Sequence, residues 1–161
     1  MTNQDNARKF ALDLTELFKE ATDDAVVKAT QKLALDALRG VVLKSPVGFP
    51  PSWKRPAPKG YVGGQFRGSW QLSVGVPGSG LTGQKRSGKT GSASAANAAA
   101  GEARAALQQL QPYQSVYIVN GLPYAERLEN GWSKQAPLGM VALTVQELQN
   151  VVLSYINGEV K

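Results

Sequence analysis

The most overt chemistry in this sequence is carried by Gly83-Gln84-Lys85-Arg86-Ser87-Gly88-Lys89-Thr90. The run satisfies G-x-x-x-x-G-K-T, the pattern in which backbone amides and a lysine hold nucleotide phosphates. That chemistry needs a buried strand leading straight into the loop and a helix starting at the Lys-Thr pair. Here the apolar strand pattern ends near Val76, Pro77-Gly78-Ser79-Gly80-Leu81-Thr82 intervene, and Gly91-Ser92 follow Thr90. A carboxylate for magnesium should close a later apolar strand, but the only such strand ends Val119-Asn120. The match is read as a chance product of a stretch rich in Gly, Lys and Ser.

Glu126 and Glu129 lie one turn apart on a short helical pattern. Paired carboxylates can divide acid–base work, but a plain surface position is the simpler reading. A third role is to meet a basic segment of another copy. The chain has no cysteine and no histidine. Thiol nucleophiles, disulfides, Ser-His triads and His- or Cys-ligated metals are therefore out. The expectation is a protein that is not an enzyme, with no catalytic set, no metal and no cofactor.

These residues sit among recognisable elements. Phe10, Leu14, Leu17, Phe18 and Ala21 recur at helical spacing over 6–21. Thr22, Asp23 and Asp24 can cap a second helix, whose stripe runs from Val26 to Val42 and stops at Ser45-Pro46. The two can also be one long helix bent near Thr22. Residues 69–76 alternate as a half-buried strand. Residues 94–110 form an Ala-rich helix in which Leu107 and Leu110 are the only large apolar residues. A second strand spans 114–120, with Val116 and Ile118 on one face and Tyr117 and Val119 on the other. A short helix follows, with Pro123 at its first position and Gly131 at its exit. Thr144-Val145-Gln146-Glu147 reads as a capping box, Leu143 and Leu148 as its staple, and Val145, Leu148, Val152 and Tyr155 as one face of a last helix ending at Gly158. The fold class is α+β: a long N-terminal helix or helix pair packed with later helices on a small, antiparallel sheet, within one domain over 1–161.

Charge is concentrated. Residues 41–90 carry +8 with no acid, while 1–40 and 91–161 each carry −1. Residues 46–90 also hold 10 Gly and 6 Pro, yet Phe49, Trp53, Tyr61, Phe66 and Trp70 fall within the same region. Segments 46–69 and 77–93 are read as extended, basic arm or loop segments, ordered against a partner surface. Lys54, Arg55, Lys59, Lys85, Arg86 and Lys89 are the candidate nucleic-acid contacts, and a nucleic-acid-binding module using the basic arm 44–89 is the alternative function. Residues 1–24 contain no signal-type apolar core, and no run reaches the roughly 18 apolar residues of a membrane span. Synthesis in the cytoplasm and no membrane partner are expected.

Three stretches together resemble the neck or tail-completion proteins of tailed phages, the family of minor tail protein Z and its relatives. They are Ser45-Pro46-Val47, Gly64-Gln65-Phe66-Arg67-Gly68-Ser69-Trp70, and the run from Tyr117 to Met140 containing N-x-x-P-Y-A-x-x-L-E-x-G-x-S-x-Q-A-P-x-G-M. In order and spacing the resemblance spans about residues 30–155. The family reads S-P-V-D-T-G-x-(F/L)-R-x-S-W without a break. Here Gly48-Phe49 stand in place of Asp-Thr, and an insertion reaching to about Val62 separates the two halves. The resemblance implies a structural virion protein of the head–tail junction, assembled as a homo-oligomeric ring, a hexamer or dodecamer, around the tail axis. Its neighbours would be head-closure, tail-terminator or tail-tube proteins, with genomic DNA in the channel. The expected interface residues are Phe49, Trp53, Tyr61, Phe66, Arg67, Trp70, Tyr124, Glu126, Glu129 and Trp132.

Overall fold

Helix-forming residues run without Pro or Gly from Asn3 to Arg39, and one helix, α1 (Asn3–Lys44), takes them all. The computed structural model describes residues 3–48, 50–52, 54–57, 59, 63–80 and 92–156; in α1, side-chain contacts are described from residue 22 onward. Thr22, Asp23 and Asp24, expected to cap a second helix, lie inside α1. Asp and Thr cost a helix interior only about 0.7 kcal/mol each. Asp23 also gains a partner: the Tyr113 side chain hydrogen-bonds to it, and the bond and the negative charge push the Tyr113 phenol up. The helix ends where expected, at Ser45-Pro46.

Beyond α1 come a single 3-10 turn, Pro50–Ser52, and a one-turn helix, α2 (Gln65–Gly68). Strand β1 (Gln71–Val74), helix α3 (Ser92–Leu107) and strand β2 (Val116–Val119) follow. The chain continues through α4 (Ala125–Glu129) and α5 (Val141–Ile156). The α4 helix is entered through Tyr124, so Pro123 lies just outside it rather than at its first position. β1 and β2 pair antiparallel, with Leu72 opposite Ile118 and Val74 opposite Val116. These four residues share the face that packs on the helices. A two-stranded sheet of this length does not stand alone in water; it is held by what lies beneath it.

What lies beneath is α1 and α3. Ala96, Ala100, Ala103 and Leu107 are buried along one face of α3, and Ala34, Leu38, Val41 and Val42 are buried on α1. Small alanines let the two axes approach closely. The main cluster joins Leu38, Val41 and Val42 to Phe66, Trp70, Ala136 and Met140. Leu107 and Leu110 are fully enclosed with Ala34 in a second, smaller cluster. Gln31 Nε2 donates to the Leu107 carbonyl at 2.8 Å and so satisfies one orphan acceptor at the end of α3.

α5 crosses α1 at Gly40. A Cβ there would lie 2.6 Å from Thr144 Cγ2 and 2.9 Å from Thr144 Oγ1, so only glycine permits this approach. The Thr144–Glu147 capping box is not formed. α5 begins three residues before Thr144, whose hydroxyl donates back to the Met140 carbonyl at 2.7 Å. Glu147 instead pairs with Lys44 at 2.6 Å. Leu143 and Leu148 consequently lie within the helix body, not at staple positions. Tyr155 is part of α5, but its side chain, like Gly158, lies outside the described residues. No described helix is long and apolar enough to cross a membrane.

Candidate interaction surface

The three stretches that carry the resemblance meet in space, around the end of α1. Ser45 is the hinge point. Its hydroxyl donates to the Val41 carbonyl at 2.7 Å and accepts from Trp70 Nε1 at 2.7 Å. Its carbonyl accepts from Arg67 twice, from Nη2 at 2.7 Å and from Nε at 3.2 Å. The guanidinium thus caps the negative end of α1, where a cation is favoured. Partial burial lowers the Arg67 pKa from its ordinary value, yet an arginine stays charged.

Two residues later the chain is clamped by Gln135. Val47 N–H donates to Gln135 Oε1 at 3.1 Å, and Gln135 Nε2 donates to the Val47 carbonyl at 2.8 Å. Asn120 ties the second stretch to the third: its Nδ2 donates to the Phe66 carbonyl at 2.9 Å. Its Oδ1 accepts from Leu122 N–H and shapes the turn after β2. Phe66 lies edge-on to Trp70, centroids 5.8 Å apart, and tilted against Tyr124 at 5.9 Å. A column of three aromatics therefore runs from the core to the surface.

Glu129 closes the third stretch on itself. One carboxylate oxygen accepts from Met140 and Val141 N–H at 2.8 and 2.9 Å, and the other from Ala142 N–H at 2.9 Å. It is the cap of α5, supplied from α4 rather than from within the helix. Burial pushes its carboxyl up, but the amides of Val141, Ala142 and Met140 together outweigh burial and hold it below the ordinary value. Gly139 has φ +80, and a Cβ there would stand 2.5 Å from Glu129 Oε1. The glycine clears the way for the carboxylate. With both oxygens occupied and the acidic form disfavoured, Glu129 is a cap, not half of an acid–base pair with the exposed Glu126.

Outside this knot the stretch from 124 to 141 shows large apolar side chains to solvent. Trp132 is 75% exposed, with the Arg127 guanidinium 5.3 Å from its ring centroid; Leu138 is 70% exposed, and Tyr124 and Val141 are partly so. The expected interface residues thus separate. Phe66 and Trp70 are core: buried within their own chain, they leave almost no area for a second copy. Arg67 and Glu129 hold loops in place. Tyr124, Glu126 and Trp132 are at the surface, as are Lys54, Arg55 and Lys59. Phe49, Trp53, Tyr61, Lys85, Arg86 and Lys89, and with them the phosphate-loop match, lie outside the described residues. Ser45, Asn120, Gln135 and Gly139 were not singled out from the sequence, although each falls within a quoted stretch. The available signal was a set of polar residues and a glycine at places with no chemistry to perform. Among the described residues no cluster of three or more metal-ligating side chains occurs.

Compared with known proteins, the chain matches no family model, no curated protein and no solved structure.

Proposed function

We propose that this chain is a structural virion protein of the tailed-phage head–tail junction. Several copies encircle the tail axis and contact one another and adjoining head-closure, terminator or tube proteins. One observation supports this reading most. The three stretches that resemble the neck family, far apart in sequence, converge on a single hydrogen-bonded knot of side chains and backbone, with Trp132, Leu138 and Tyr124 exposed in the third stretch. An arrangement that fixes loops and shows aromatics suits a building block that docks on neighbours. The expected arm 46–69 is not extended throughout, since Val47 is held by Gln135, and Phe66, Arg67 and Ser69 pack within their own chain; the part carrying Lys54, Arg55 and Lys59 is what would reach across to an adjoining subunit. Mass spectrometry of purified particles of the parent virus tests the proposal: the protein is expected at a fixed copy number per tail, and its absence from finished particles overturns it.

A second use of the arm rests on the exposure of Lys54, Arg55 and Lys59 in a region without acids. If it contacts nucleic acid, gel-shift affinity falls steeply between low and moderate salt. No shift at low salt removes this reading.

A further inference from the structure

We infer that the groove between α1 and α3 holds the phosphate backbone of double-stranded nucleic acid. The site lies apart from Lys54, Arg55 and Lys59, and it does not depend on whether that arm binds. On α1, Lys28, Lys32, Leu35 and Arg39 follow one another at i, i+4, i+7 and i+11 and so share one face. Arg104 enters the same groove from α3. The four cations are exposed, and they line an open groove of about 390 Å³ to which Leu35 and Ala100 add apolar surface. Asp36 is the one carboxylate among the lining residues, and Lys32 pairs with it at 2.6 Å. Among the described residues Lys28, Arg39 and Arg104 make no ion pair with a carboxylate. Asp24, one turn before Lys28, does not line the groove. Glu102, two residues before Arg104, lines a different hollow with Trp70 and residues of β1.

A cleft lined by one sign of charge, with apolar surface between the charges, focuses its field on an incoming anion. The row from Lys28 to Arg39 covers about 16 Å of helix axis. One strand of a duplex carries a charge every ~3.4 Å, so the row faces about five phosphates. The α3 side leaves room for a backbone to come close. Beside Arg104 its outer face carries Asn97, Gly101 and Ala105, all exposed and uncharged. A Cβ at Gly101 would meet nothing within 4 Å. No aromatic side chain lines the groove, whereas a protein partner is held mainly by aromatic anchors seated in pockets. Cations on a smooth wall without anchors suit phosphate contacts, which position a duplex without reading its bases. Binding is therefore expected to be independent of sequence.

The test is fluorescence anisotropy of the full chain with a short, labelled, mixed-sequence DNA duplex, titrated at several salt concentrations. Lys28→Ala, Arg39→Ala and Arg104→Ala combined are expected to weaken binding by about tenfold or more and to lower the log–log salt slope by about 2–3. Asp36→Asn removes the lining carboxylate and is expected to tighten binding, the opposite direction from a variant that merely damages the fold. Circular dichroism checks that each variant is folded. Bound duplex is also expected to shield Lys28 and Lys32 from acetylation, read by mass spectrometry, while the exposed Lys134 stays reactive. Full affinity in the triple variant, weaker binding by Asp36→Asn, or unchanged acetylation of Lys28 and Lys32 each overturns the inference. So does a poly-glutamate chain that binds as tightly as the duplex and is lost in the same triple variant, because the groove would then fit an acidic protein. Lys54→Ala, Arg55→Ala and Lys59→Ala combined judge the arm separately: loss of binding there, with the groove variant unaffected, supports the arm and overturns the groove. The head–tail reading is judged on particles.

Discussion

Glu129 shows how one carboxylate can be worth more as a fold element than as a reagent. It faces three amide N–H groups at 2.8–2.9 Å. Glu129→Gln substitutes an amide, one end of which is a donor turned toward donors, so the variant is expected to lose about 1–2 kcal/mol in denaturant unfolding. The pH dependence has a definite sign. The folded carboxyl titrates below the unfolded one, so the unfolded state binds more protons across the interval between them. The stabilisation is complete above the unfolded value of about 4.3 and is lost as pH falls through the folded value. The gap between wild type and Glu129→Gln should therefore be constant near neutrality and shrink in acid. A gap that does not change with pH would mean that packing, not charge, is what the residue supplies. Trp70 gives a second test at this scale. Its indole N–H donates to the buried Ser45 hydroxyl. Trp70→Phe loses that bond and leaves a gap against Phe66, and an expected cost of about 1–3 kcal/mol should appear in thermal unfolding.

Among the elements, the sheet and the Ala-rich helix were legible because their signals are local. Strand alternation put Val116 and Ile118 on one face, and the structure has them there opposite Val74 and Leu72. The start of α5 was not legible. Thr144-Val145-Gln146-Glu147 carries the right residue types for a capping box, but the cap comes from Glu129, eleven residues before Met140. A tertiary cap leaves no local pattern. Of the two readings at Thr22, the single long helix holds and the capped break does not: cap-type residues are permitted inside a helix when nothing else stops it. The crossing of α1 and α5 was likewise invisible, since Gly40 looks like any interruption of a helix. It is a contact point, and Gly40→Ala should destabilise by about 1–3 kcal/mol through overpacking on Thr144. Thr144→Ala removes the two nearest atoms and should recover part of that loss, so a double-mutant cycle in urea is expected to be non-additive. Additive effects would show that the helices move apart freely.

At the scale of the molecule, what was legible of the candidate site was its address, not its anatomy. The stretches around Ser45, Arg67 and Gln135 stood out in the sequence, but which residues face inward depends on the path of the whole chain. Trp70 and Trp132 make the contrast plain: both are tryptophans in quoted stretches, and one is core while the other is 75% exposed beside Arg127. Under the reading proposed above, Trp132 serves a neighbour's surface that covers it, and the contact of its ring with Arg127 is the one described interaction that side chain makes within its own chain. Trp132→Ala is therefore expected to leave the unfolding midpoint of the isolated chain within about 0.5 kcal/mol of wild type. The same variant should sharply reduce incorporation when it replaces the wild-type protein during particle assembly. Trp70→Ala should do the opposite in order: it unfolds the chain first and loses assembly only as a consequence. Particle yield and monomer stability, measured on the same two variants, separate a residue that builds the subunit from one that joins it to its neighbours. Full incorporation of Trp132→Ala would show that the exposed rim of the 124–141 stretch is not where neighbours bind.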